Sequence, residues 1–206
     1  MMRGVVVAVT VFVCGWVLMG LEIVGGRMLA PYFGSGVWVW GSIISVFLAA
    51  LSVGYFVGGL CSKRYPSAVA MAAVIALAGI TLIPVSLRYA QINEWIAAID
   101  LHERWGSLLA AACQFLAPSV LLGMVSPYAV RLVTRRVEEA GSQAGSLYAI
   151  STVGSCLGCL VTSFDLILRF GIRHILAYSS ATLILTAIAL LVLWSLTSPR
   201  PEGNAS

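Results

Sequence analysis

Four charged side chains stand at the edges of apolar stretches long enough to cross a membrane. Glu22 closes a run that begins at Val5, and Arg27 follows it. Asp165 and Arg169 close a second stretch, 145–169, GSLYAISTVGSCLGCLVTSFDLILR. A carboxylate in or beside hydrocarbon is costly unless something of opposite charge compensates it. Two kinds of chemistry fit. Glu22 and Asp165 attract a polyamine or another organic cation, while Arg27 and Arg169 hold an anionic headgroup. Alternatively the four form an inter-helix charge network, Glu22 with Arg169 or Asp165 with Arg27, that locks a bundle. Residue types alone leave both open.

The elements that position these charges come next. At helical spacing Gly154, Gly158, Thr162, Asp165 and Arg169 share one face of 145–169, with Ser151, Ser155 and Cys159 beside it. A face of glycine and small hydroxyl residues lets another backbone come close. This segment is therefore expected to organise the bundle from inside, away from lipid. Gly54 and Gly58 form a second close-packing pair, G-x-x-x-G. The helix-packing residues are thus Gly54, Gly58, Gly154, Gly158, Ser151 and Thr162.

Hydrophobic residues make up 60% of the chain and charged residues 10%. Soluble domains carry about 25% charged residues, so the composition is that of an integral membrane protein. The net charge of +4 comes from arginines spread over short loops, which excludes a nucleic-acid-binding stripe. Hydropathy places six spans at about 5–25, 39–60, 68–87, 107–130, 145–167 and 175–196, with a disordered tail at 199–206. The fold class is an all-α polytopic bundle; its six spans with the basic turn GGLCSKR after the second loosely resemble half of a major facilitator protein. The stretch LAPYFGSG after Arg27 reads as a turn-forming loop. The segment 88–105 reads as an amphipathic interfacial helix or a loop capping the bundle. The segment 131–139 reads as a helical extension outside the membrane. Pro118 and Pro127 should bend the fourth span.

Arg3, Lys63, Arg64, Arg131, Arg135, Arg136 and Arg200 fall on the side of the termini, against Arg27, Arg88, Arg104, Arg169 and Arg173 on the other. The sharpest basic clusters share the first side, which points to both termini in the cytoplasm. Arg131, Arg135 and Arg136 would there dock a soluble partner or anionic lipid.

Other polar residues admit two readings. Ser126, Tyr128, Ser146, Tyr148, Ser151 and Thr152 lie near Pro127 and Gly154. Hydroxyls beside freed backbone carbonyls would build a transporter site, and hydroxyls bonded to their own helix would only assist packing. Cys156 and Cys159 lie in an apolar helix with no second pair, so packing fits them better than metal or redox chemistry. His102 and His174 are the only histidines, and no catalytic constellation forms around them. Neither metal nor cofactor is expected.

Two stretches carry a resemblance: LEIVGGRMLAPYFGSGVWVWGSIISVFLAALSVGYFVGGLCSKRYP at 21–66, and SPYAVRLV at 126–133 with GSLYAISTVGSCLGCLVTSF at 145–164. They resemble the membrane portion of the bacterial fused spermidine-synthase-like proteins. In that family a six- or seven-span membrane part precedes a cytoplasmic aminopropyltransferase-type domain. No strand–glycine loop–helix unit occurs here to supply the catalysis. The resemblance implies the membrane module alone, from a split gene, a truncated form or a standalone paralogue. It would lie in the bacterial inner membrane and present or transport a small charged metabolite, or anchor a separate cytoplasmic transferase. A half-size transporter acting as a homodimer and a structural subunit without ligand are the other readings.

Overall fold

A computed structural model describes residues 2–99, 101–134 and 136–197. It is an all-helical bundle: α1 Met2–Phe33, α2 Val37–Arg64, α3 Ala68–Ala97, α4 Glu103–Val133, α5 Ala140–Arg169 and α6 Ile172–Leu196. All six are long and apolar enough to cross a membrane, so this is a multi-pass membrane protein. The expected tail at 199–206 and Arg135 lie outside the described residues.

The helices outrun the apolar runs that announce them. α1 passes through Pro31 to Phe33, so LAPYFGSG is not a loop; the turn is Gly34–Gly36, with Gly34 at φ +80°. Proline in a final turn forfeits one hydrogen bond, at a point where the helix is ending anyway. α3 continues to Ala97, so 88–105 is neither a separate interfacial helix nor a cap for most of its length. Asn93 and Ile96, in its last turns, are buried. Hydropathy marks only the hydrocarbon-embedded part, while a helix keeps its internal hydrogen bonds into the interface. The segment 131–139 corrects in the other direction. α4 stops at Val133, Thr134 is extended, and a single 3-10 turn at Val137–Glu139 leads into α5. α4 is otherwise a continuous helix through both Pro118 and Pro127.

The organising element is α1, not α5. α1 packs against all five other helices, and α4 against α1, α2, α3 and α5. Fifteen residues of α1 and fourteen of α4 are buried, but in α5 only Leu147, Gly154, Gly158 and Thr162 are. Glycine brings a backbone close but has no side chain of its own to bury. A glycine stripe therefore seats α5 chiefly on α1, with a lesser contact to α4, and leaves its other sides outward.

Between apolar helices in lipid, association comes from close packing and hydrogen bonds. Three helix pairs use glycine for it. A Cβ on Gly154 or Gly158 would strike the α1 backbone at Phe12 or Trp16. A Cβ on Gly54 or Gly58 would strike the α4 backbone at Val120 or Met124. On α3, Gly79 meets α6 at Ser180, whose hydroxyl donates to the Gly79 carbonyl at 2.7 Å. The centre is filled by Phe47 against Phe115, ring centroids 5.4 Å apart. At the end away from the termini, Gln114 Nε2 donates to Asn93 Oδ1 at 2.8 Å, joining α4 to α3.

Candidate functional site

The four charges that opened the sequence reading do not meet. Arg169 pairs with Asp165 at 2.6 Å on its own helix, four residues apart, and both side chains are substantially exposed. Glu22 and Arg27 make no ion pair with a described residue. The cross-helix network is therefore replaced by one local pair and two separate charges. The cause is the placement of α5: the last α1 glycine its small-residue face meets is Gly20, at Thr162. Beyond that, a π-helical turn at Thr162–Leu166 shifts the helical register, and Asp165 and Arg169 follow it. An exposed pair at this spacing contributes little. Asp165→Asn should change unfolding stability in detergent by less than about 0.5 kcal/mol. A larger loss would show that Asp165 has a partner besides Arg169.

The polar site lies elsewhere. A cavity of about 340 Å³ opens between α1, α2, α4 and α5. Its lining includes Cys14, Leu18 and Met19 of α1, Leu51 and Tyr55 of α2, and Ser126 of α4. From α5 come Tyr148, Ser151, Thr152 and Ser155. The α1 residues on its wall lie midway between Arg3 and Arg27, so the cavity sits near mid-depth in the span. The volume suits a small metabolite.

The hydroxyls divide into two sets. Thr152 donates to the Tyr148 carbonyl at 2.8 Å and Ser146 to the Ser142 carbonyl at 2.9 Å, each four residues back. That is the self-satisfying role expected of hydroxyls in a span. Ser126, Ser151 and Ser155 make no hydrogen bond with a described residue, although all three line the cavity. Tyr128 is buried and does not line it. Neither α4 nor α5 breaks beside the cavity, but Pro127 has no N–H to give, so the Gly123 carbonyl lacks its helical partner close to Ser126.

Glu22 is not on the cavity wall itself but follows it on α1. It is half-buried and lies one turn past Met19 on the α1 face that lines it, about 4.5 Å further along the axis. Sequence reasoning named Glu22 and five of the lining residues, Ser126, Tyr148, Ser151, Thr152 and Ser155; of its two readings for Glu22, the ion pair with Arg169 is not formed. It missed Cys14, Met19, Leu51 and Tyr55, which carry no signal that separates a cavity wall from core.

The remaining candidates fall into place more simply. Gly54, Gly58, Gly154, Gly158 and Thr162 sit at helix contacts, and Ser151 at both the α1 contact and the cavity. Arg131 and Arg136 are exposed at the end bearing the termini. Cys156 is exposed and Cys159 half-buried. Among the described residues no cluster of histidine, cysteine and carboxylate comes together to hold a metal ion. No protein-family model matches the chain, and neither a curated protein nor a solved structure is significantly similar to it.

Proposed function

We propose that the chain is the membrane module of a spermidine-synthase-like system, and that it binds a small organic cation in the cavity between α1, α2, α4 and α5. It would present that cation to a partner or move it across the bilayer. The observation that supports this is Glu22, a carboxylate with no ion pair among the described residues, one helical turn past a mid-depth cavity whose serines make no hydrogen bond with a described residue. Polar groups so placed are costly in a membrane unless a ligand or water uses them. In this reading the chain lies in the bacterial inner membrane with both termini in the cytoplasm, where Arg131 and Arg136 face a separate transferase.

Purified protein in mild detergent, heated with increasing spermidine, provides the test. A specific ligand raises the unfolding temperature progressively, by linkage worth about 2.7 kcal/mol at a hundred times Kd. Butane-1,4-diol, which lacks the charge, should have no effect. Glu22→Gln should lose most of the spermidine response while Asp165→Asn keeps it. An undiminished response in Glu22→Gln would exclude this site.

A second reading, a half-size transporter working as a homodimer, draws on the outer faces of α2 and α5. Both helices line the cavity and both present small residues outward: Ser45, Ala49 and Ser52 on one, Gly145, Ala149 and Thr152 on the other. A second copy is the occupant that such a surface fits, since small residues permit close helix contact in lipid. Bulky substitution at Ala49 and Ala149 should then convert a detergent-solubilised dimer to monomer, read by light scattering.

A further inference from the structure

The glycine contacts of the two outer pairs are the same contact made twice. Gly54 meets Val120 and Gly58 meets Met124; Gly154 meets Phe12 and Gly158 meets Trp16. From α2 to α5 the shift is 100 positions in both cases. From α1 to α4 it is 108 positions, for Phe12 to Val120 and for Trp16 to Met124 alike. The same shifts carry Gly15, which would strike Ser151, onto Gly123, which would meet Leu51. The sequence follows the same register: Ser52-Val-Gly-Tyr-Phe-Val-Gly58 corresponds to Thr152-Val-Gly-Ser-Cys-Leu-Gly158. The third pair matches itself. Gly79 and Ser180 touch across α3 and α6, and at that shift of 101, Thr-Leu-Ile at 81–83 falls on Thr-Leu-Ile at 182–184. α1–α3 and α4–α6 are three spans each, so the second set enters the membrane from the opposite side.

We infer that the chain is two inverted three-span repeats, and that the cavity lies on their pseudo-two-fold axis with one serine-rich wall and one wall of leucines with a single phenol, Tyr55, an asymmetry that fixes the orientation of its ligand. Four pairs of equivalent residues line the cavity together: Cys14 with Leu122, Leu18 with Ser126, Leu51 with Ser151, and Tyr55 with Ser155. Only a cavity straddling the axis collects both members of each pair. In three of the four, the second repeat supplies a serine where the first supplies leucine or tyrosine. Those three serines make no hydrogen bond with a described residue, and neither do the phenols of Tyr55 and Tyr148. The ligand therefore has a hydrogen-bonding edge, turned toward α4 and α5, and an aliphatic edge, turned toward Leu18 and Leu51. Ser126, Ser151 and Ser155 determine specificity. This inference rests on the cavity being a ligand site, as proposed above.

The test moves hydroxyls between equivalent positions, with spermidine as probe and binding read by calorimetry on full-length protein in detergent. Ser126→Ala with Ser151→Ala should weaken binding roughly tenfold or more, since each removes one hydrogen bond. Adding Leu18→Ser and Leu51→Ser to that variant returns the hydroxyls on the opposite wall and should recover most of the loss. Loss without recovery, in protein with a wild-type unfolding temperature, overturns the two-walled cavity and leaves the ligand site standing. Should the quadruple variant fail to fold, Leu18→Ser with Ser126→Ala alone serves, and absence of recovery there has the same force. Unchanged binding in the alanine variant overturns both.

Discussion

Gly154→Ala is expected to destabilise the folded bundle by about 3 kcal/mol, the upper part of the range for overpacking a tight interior. The added methyl would collide with the backbone of Phe12 on α1. A side-chain tip could rotate aside, but a backbone moves only if the whole helix does. α1 is packed on every other helix, so shifting it disturbs all of them. Helix propensity works in the opposite sense, favouring alanine by about 1 kcal/mol, and would show wherever space allows. Gly145→Ala provides that comparison, because nothing lies within 4 Å of a Cβ there; it should be neutral or slightly stabilising. Gly54→Ala should behave like Gly154→Ala, since it would meet the α4 backbone at Val120. Unfolding in mixed detergent, with helix content as the readout, measures all three. Equal stability of Gly154→Ala and Gly145→Ala would mean that α5 does not rest on α1 in this way.

Gln114→Leu is expected to cost about 2–3 kcal/mol, and the same change combined with Asn93→Leu less than the two singles together. Asn93 is fully buried, and its carboxamide oxygen accepts from Gln114 Nε2 at 2.8 Å. Its nitrogen donates to the Met28 carbonyl at 3.4 Å, which ties α1 to the pair. Removing Gln114 alone strands a buried acceptor, whereas removing both amides leaves an apolar contact between α3 and α4. A double-mutant cycle should give a coupling of about 1 kcal/mol, near the middle of the range for hydrogen bonds inside membranes. Additivity within experimental error would mean that the two amides do not interact.

Asn93 also shows where the reading of the sequence stopped short. A polar residue six positions past the apolar run 68–87 looks like interfacial helix or capping loop, because hydropathy registers the solvent a segment prefers, not the neighbour it meets. The buried partner, Gln114, lies on another helix, and no local pattern links the two. The charges fared similarly. Glu22, Asp165 and Arg169 were legible as residues at the ends of spans, but which of them share a neighbourhood depends on how α5 leans on α1. The π turn that redirects Asp165 has no marker in TSFDL itself.

Composition and apolar run length determined the class of protein, the number of spans and the glycines at which backbones touch. These are local properties: an unbroken apolar helix satisfies its own hydrogen bonds, and a missing side chain permits contact whatever the partner. Tertiary structure alone decided that α1 and not α5 forms the hub, that Asp165 pairs within its own helix, and that serines of α4 and α5 line one cavity with leucines of α1 and α2. Each of those depends on the direction in which a face points, and direction is set by the packing of six helices at once.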